Sequence, residues 1–202
     1  MKLFSYVVEH DTGYAPNPYF GVCTLCRCMF RQPGSKRRNI VELAKKGDWV
    51  VGTGGASRRS AGHGKLVYAM RVDEKLCREE YYADPRFAEK KPVKNGTYQQ
   101  RRGDNKRPRT PFEGREQFAL MSRHFYYFGA SAIAIPKKEF PRLEKRGPRF
   151  RSRFDEKYIR QFVKWLEKRH RTGKHGEPCM KDERNSERKG SARCKSSCFE
   201  SA

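Results

Sequence analysis

Acidic residues are scarce in this sequence: 23 aspartates and glutamates stand against 46 lysines and arginines in 202 residues, a formal net charge of +23. That shortage disfavours basic partners and fits a polyanion, nucleic acid above all. Long apolar runs are missing as well. No segment approaches eighteen consecutive apolar residues, which leaves no sequence for a spanning helix. The opening residues MKLFSYVVEHD are interrupted too soon by Ser5, Glu9 and His10 to form a secretory apolar region. We therefore expect an intracellular, cytoplasmic chain with no membrane partner. Nucleotide-loop motifs are also lacking: Gly52-Thr53-Gly54-Gly55 follows an apolar run, but Arg58-Arg59-Ser60 opens no apolar-periodic helix and no Gly-Lys-Ser/Thr ending is present. The seven cysteines are odd in number and irregular in spacing, which argues against a disulfide framework. Cys23 and Cys26 make half of a zinc site, and the other candidates, Cys194 and Cys198, lie in a low-complexity tail. Free thiols, no metal and no cofactor are the expectation.

What is present centres on residues 47–74, GDWVVGTGGASRRSAGHGKLVYAMRVDE, which read as two strands joined by a mobile glycine-rich loop. Leu66, Tyr68, Met70 and Val72 alternate with Val67, Ala69 and Arg71, so both faces of the second strand are largely apolar and need cover. The loop between them carries Arg58, Arg59, His63 and Lys65 on a backbone able to approach a ligand closely. It reads either as a phosphate contact or as a solvated hairpin loop.

Upstream, KLFSYVV (2–8) predicts a central strand, and DTGYAPNPYF (11–20) a loop. Its aromatics, Tyr14, Tyr19 and Phe20, either line a pocket that stacks a base or plug the end of a barrel. A basic turn with Lys36, Arg37 and Arg38 precedes Asn39, the predicted N-cap of a short helix carrying Ile40, Leu43 and Ala44 and ended by Gly47. A helical turn is expected over 79–82. Residues 88–114 are rich in Lys, Arg, Gly, Pro and Asn and predict a long surface loop. Lys90, Lys91, Lys94, Arg101, Arg102, Lys106, Arg107 and Arg109 there serve either phosphates or solubility. Short strands are predicted over 118–121, 125–128 and 131–135. Asp155 caps the one long helix, with Tyr158, Ile159, Phe162, Val163 and Leu166 as its apolar stripe and Gly173 as its stop. Beyond His170 apolar residues nearly vanish, so the boundaries expected are a domain over 1–170 and a disordered basic tail over 171–202.

The succession of aromatic loop, GDWVVGTG, glycine loop, LVYAMRVDE, ADPRF, NG, GDN, YYFG and IP resembles the second family of nucleotide modification associated domains over roughly residues 1–170. Residues 40–75 resemble, more loosely, the PUA-like group that includes EVE and YTH domains. The resemblance implies an α+β fold: a curled mixed β-sheet or pseudo-barrel of PUA-like type with a few packed helices. It also implies a pocket for a nucleobase. The family pattern falls on Tyr14, Asn17, Pro18, Tyr19 and Cys23, on Gly47, Asp48, Trp49, Gly52, Thr53 and Gly54, and on Asp104 and Asn105. The basic, proline-rich stretch from Lys106 to Gly114 departs from it.

An extruded base needs a flat apolar face and polar groups along its pairing edge. The base-binding candidates are accordingly Asn17, Tyr19, Cys23, Trp49, Thr53, Gly54, Asp104 and Asn105, with Trp49 equally readable as core. The phosphate-binding candidates are Lys36, Arg37, Arg38, Arg58, Arg59, Arg101 and Arg102. The function expected is a nucleic-acid-binding module of a DNA base-modification system that recognises a plain or modified base. Its expected partners are nucleic acid, DNA rather than RNA, and proteins of that system. The alternative is an enzyme that makes or edits a modified base or nucleotide, for which Cys23, Asp104 and His124 are the nominees, at no diagnostic spacing.

Overall fold

A computed structural model describes residues 1–26, 39–90 and 118–179. Strand β1 (Leu3–Val8) runs parallel to β3 (Trp49–Gly54), with Leu3 opposite Trp49 and Val8 opposite Gly54. Strand β4 (Lys65–Arg71) returns antiparallel to β3. The sheet then extends through β7 (Phe125–Tyr127) to β10 (Gly173–Lys174) on one side and from β1 to β9 (Phe150–Arg151) on the other; β8 (Ile133–Ala134) pairs with the start of β4. A second sheet has the order β2 (Cys23–Leu25), β6 (Phe118–Ser122), β5 (Glu74–Cys77).

Both faces of the large sheet are apolar, and both are covered. Leu3, Trp49, Val51, Ala69 and Tyr126 pack against Ile159, Phe162, Trp165 and Leu166 of α3 (Glu156–Arg169). On the opposite face Phe4, Val8, Val50, Tyr68, Met70 and Tyr127 pack against Cys23, Leu25 and Leu120 of the small sheet and against α1 (Ile40–Leu43). The outer face of the small sheet is closed by Tyr81 of α2 (Arg78–Ala83) and by Phe87 of the 3-10 helix Pro85–Lys90. The order of layers is helix, sheet, sheet, helix, which makes the fold a mixed α+β one. Among the described residues the sheets do not close into a barrel, since β9 and β10 are open edges; the curled pseudo-barrel expected of a PUA-like chain has no support there.

The helix caps are where the sequence places them. Asn39 accepts the Val41 amide at 2.9 Å, and Asp155 accepts the Tyr158 amide at 2.8 Å. Two helix ends differ from expectation. The first helix stops at Leu43, and Gly47, at φ 87°, sits in the turn that gives its amide to Val72 O. The long helix ends at Arg169, because residues 173–174 join the sheet beside Tyr126 and Tyr127. Residues 173–179 therefore belong to the folded unit rather than to a disordered tail starting at 171; the remaining tail residues lie outside the described ones.

Gly52 sets the spacing of the large sheet. Tyr68 lies opposite it, and a Cβ at Gly52 would stand 2.4 Å from the Tyr68 ring and 2.6 Å from Val8 Cγ2. Overpacking of this kind costs about 1–3 kcal/mol, so Gly52→Ala is expected to lose about 2 kcal/mol in a urea titration; an unchanged midpoint would show that the Tyr68 ring moves aside freely.

Candidate nucleic-acid interface

Because β1, β3, β7 and β10 all point the same way, the segments that follow them gather at one end of the large sheet. These are the aromatic loop, the glycine loop 55–64, the 3-10 turn Gly129–Ser131 and the strap 175–179. Their mutual contacts are specific. Ser57 gives its amide to Glu9 Oε2 at 3.1 Å, and Gly64 gives its amide to Glu144 Oε1 at 3.0 Å. Ser60 Oγ accepts the Gly55 amide and donates to Val8 O, each at 2.7 Å. A Cβ on Gly54 would stand 2.0 Å from Gly62 O. The glycine loop expected to be mobile is thus pinned at both ends, and Gly54, at the end of β3, lets the loop backbone at Gly62 approach closely.

Arg58, Arg59, His63 and Lys65 are exposed on that pinned loop. Neither Arg58 nor Arg59 has an ion-pair partner among the described residues. Beside them His63, Lys137 and Arg146 share the single carboxylate of Glu144, at 3.8, 3.7 and 3.1 Å. The local balance is strongly positive.

The aromatic loop is stiffened from within. Asn17 and Thr24 exchange two backbone hydrogen bonds of 2.9 Å, closing a hairpin. The Lys90 ammonium fills it, donating to Val22 O at 2.7 Å, Asn17 O at 2.9 Å, Asn17 Oδ1 at 3.1 Å and Thr24 Oγ1 at 3.4 Å. Lys90 is only 1% exposed, so it contacts no phosphate, against the expectation for it; burial pulls its ammonium down to about 8. Asp11, also buried, accepts the Tyr127 hydroxyl at 2.6 Å and the Cys179 amide at 3.3 Å, and burial raises its carboxyl above the usual range. The strap completes the enclosure: Glu177 O accepts the Ala130 amide at 2.7 Å, and Pro178 lies against Gly13.

The described base-binding candidates separate sharply. Asn17, Cys23, Trp49, Thr53 and Gly54 are buried. Asn17 serves Lys90, and Thr53 Oγ1 lies between Tyr6 O and the Lys145 backbone. Burial pushes the Cys23 thiol up to about 12. Trp49, 2% exposed, stacks on Tyr126 at 6.5 Å and meets the His124 ring edge-on at 5.4 Å, so the core alternative describes it. Tyr19 alone of this group keeps exposed ring surface. Asp104, Asn105, Lys36, Arg37, Arg38, Arg101 and Arg102 lie outside the described residues.

The two described enzyme nominees, Cys23 and His124, do not meet. Cys23 is in the core between the sheets, whereas His124 lies on the α3 side with Nε2 3.2 Å from Tyr126 Oη and 3.3 Å from Glu167 Oε1. Both partners engage one ring nitrogen, which ties the β6–β7 turn to the helix and does not build a relay. Residues that sequence reasoning passed over are Asp11, which neutral donors surround, Glu9, which holds the Ser57 amide, Glu144, which three basic side chains share, and Lys90 as a clamp.

Comparison with known proteins matches the family described as nucleotide modification associated domain 2 over residues 1–112 and 106–186. The chain belongs to this family. No curated protein and no solved structure matches it. The family match runs through the strap, in keeping with its place in the fold, and the family's name ties the domain to nucleotide modification. Among the described residues of this nucleotide modification associated domain, no helix is long and apolar enough to cross a membrane.

Replacing Lys90 by Met removes the donor from the carbonyls of Asn17 and Val22, and the variant is expected to lose about 2–3 kcal/mol. A folded-state value of about 8 against 10.5 for the free side chain means the folded protein releases this proton first. The wild type should therefore gain stability relative to Lys90→Met as pH rises from 8 to 10.5. Denaturant titrations of both proteins across that window measure the difference, and parallel curves would show that the hydrogen bonds of the clamp offset the burial of the ammonium.

Proposed function

We propose that this domain is a nucleic-acid-binding module of a DNA base-modification system, which recognises a base at the aromatic loop while its cationic loops hold the phosphates. The observation that carries the reading is the pinning of the loop that bears Arg58 and Arg59, without ion-pair partners among the described residues, at the same end of the sheet as the aromatic loop. Guanidiniums fixed on a rigid backbone and lacking internal partners suit phosphate oxygens, because little freedom is lost when they engage. The excess of basic residues adds long-range attraction to any polyanion. Family membership supports placement in a nucleotide-modification system. The expected partners are DNA rather than RNA and the proteins of that system. An enzyme has less behind it, since Cys23 and His124 lie on opposite faces of the large sheet.

Fluorescence anisotropy with a labelled DNA duplex and single strand over a range of salt tests the reading. Each phosphate contact contributes roughly 0.7–0.9 to the slope of log K against log salt. The double variant Arg58→Gln/Arg59→Gln should weaken binding and flatten that slope by about 1.4–1.8, with no change in thermal midpoint. A wild-type protein that binds neither DNA, or binds without salt dependence, removes the reading. Oligonucleotides with and without modified bases, compared in the same assay, decide whether modification is recognised.

A further inference from the structure

The tip of the Lys90-filled hairpin carries Tyr19 and Phe20, and Phe20 breaks two rules at once. It is 40% exposed, one of the few large apolar side chains left to solvent among the described residues. It also has φ 60°, a left-handed backbone that strains a bulky residue. Gly21 follows at φ 74°, with open space where its Cβ would be. Behind Phe20 the tip is rigid: Tyr19 gives its amide to Asn17 Oδ1 at 3.2 Å, and the Tyr19 ring lies under Lys174 Nζ at 5.2 Å and beside the Glu177 carboxylate. The Tyr19 and Phe20 rings sit 6.3 Å apart at 57°, so Tyr19 supports Phe20 without covering it. Nothing in the packing of the described core needs a phenylalanine at this position.

We propose that Phe20 is a preformed stacking platform for one unpaired nucleobase, which makes single-stranded or strand-end DNA, rather than intact duplex, the substrate class of the interface. This rests on the nucleic-acid-binding reading above. The charge of the chain selects the occupant: a flat apolar partner that is part of a polyanion is a base on its phosphodiester strand. A base within a duplex has both faces covered by its neighbours, whereas an unpaired one offers a free face to an aromatic ring. Holding the hairpin tip in place beforehand reduces the freedom lost on stacking.

The test compares wild type, Phe20→Ala and Phe20→Trp on a labelled single strand and on a duplex of the same sequence, with the thermal midpoint of each protein recorded. Phe20→Ala is expected to weaken single-strand binding about tenfold, to leave duplex binding and the midpoint unchanged, and to be rescued by Phe20→Trp. Equal single-strand affinity in wild type and Phe20→Ala overturns the platform. If Arg58→Gln/Arg59→Gln still weakens binding in that case, the wider reading stands without it. An equal loss on both substrates assigns Phe20 to a wedge in duplex DNA and overturns the unpaired-base assignment. A lowered midpoint for Phe20→Ala shows that the ring packs against the protein's own chain and overturns it too.

Discussion

Two neighbouring strands that run in the same direction, β1 and β3, determine where everything else at the interface is found. Had they been antiparallel, the aromatic loop and the glycine loop would leave the sheet at opposite ends, roughly 20 Å apart for strands of this length. In parallel they emerge together, and Glu9, one residue past the end of β1, reaches the Ser57 amide of the other loop. Parallel pairing also requires a long connection between the strands, which here holds the aromatic loop, β2 and α1 on one face of the sheet. Gly52 and Gly54 belong to the same constraint, since β3 lies close enough to Tyr68 and to the returning backbone that a Cβ would not fit.

Much of the scaffold could be read from the residues. Period-two patterning places β1, β3 and β4, and the stripe from Tyr158 to Leu166 with Asp155 before it places α3. The site was less legible, because a polar side chain in a sequence does not say whether its partner is a ligand or another residue. Asn17 has the chemistry of a base-reading amide, yet its partner is an ammonium 73 positions later. Thr53 and Cys23 are buried, and strand residues that suit an interior also suit a pocket wall. Trp49 was ambiguous from the start, and only the presence of α3 against its face of the sheet decides the matter. Phe20 was visible as an aromatic in a loop, but its exposure depends on a backbone angle that no composition rule anticipates.

Among the described residues two charge-bearing side chains, Lys90 and Asp11, are buried at this end of the molecule, and both hold the loops. Lys90 is surrounded by neutral oxygens, and Asp11 by neutral donors. Each is costly to bury and is tolerated because every nearby polar atom gains a partner. The exposed charges behave oppositely: Arg58 and Arg59 are well solvated and have no internal role. Rigidity and attraction are therefore supplied by separate residues, so either can be altered by mutation without loss of the other.

The strap that seals Asp11 joins residues 168 positions apart. A ribosome delivers the chain from its amino terminus, so the first strand and the loop after it emerge long before the segment that encloses them. Until Cys179 has cleared the exit tunnel, the Asp11 carboxylate lacks one of its donors and Gly13 lacks its Pro178 neighbour. The surface that carries Tyr19 and Phe20 is thus finished only once the strap has been made, long after its own residues are delivered.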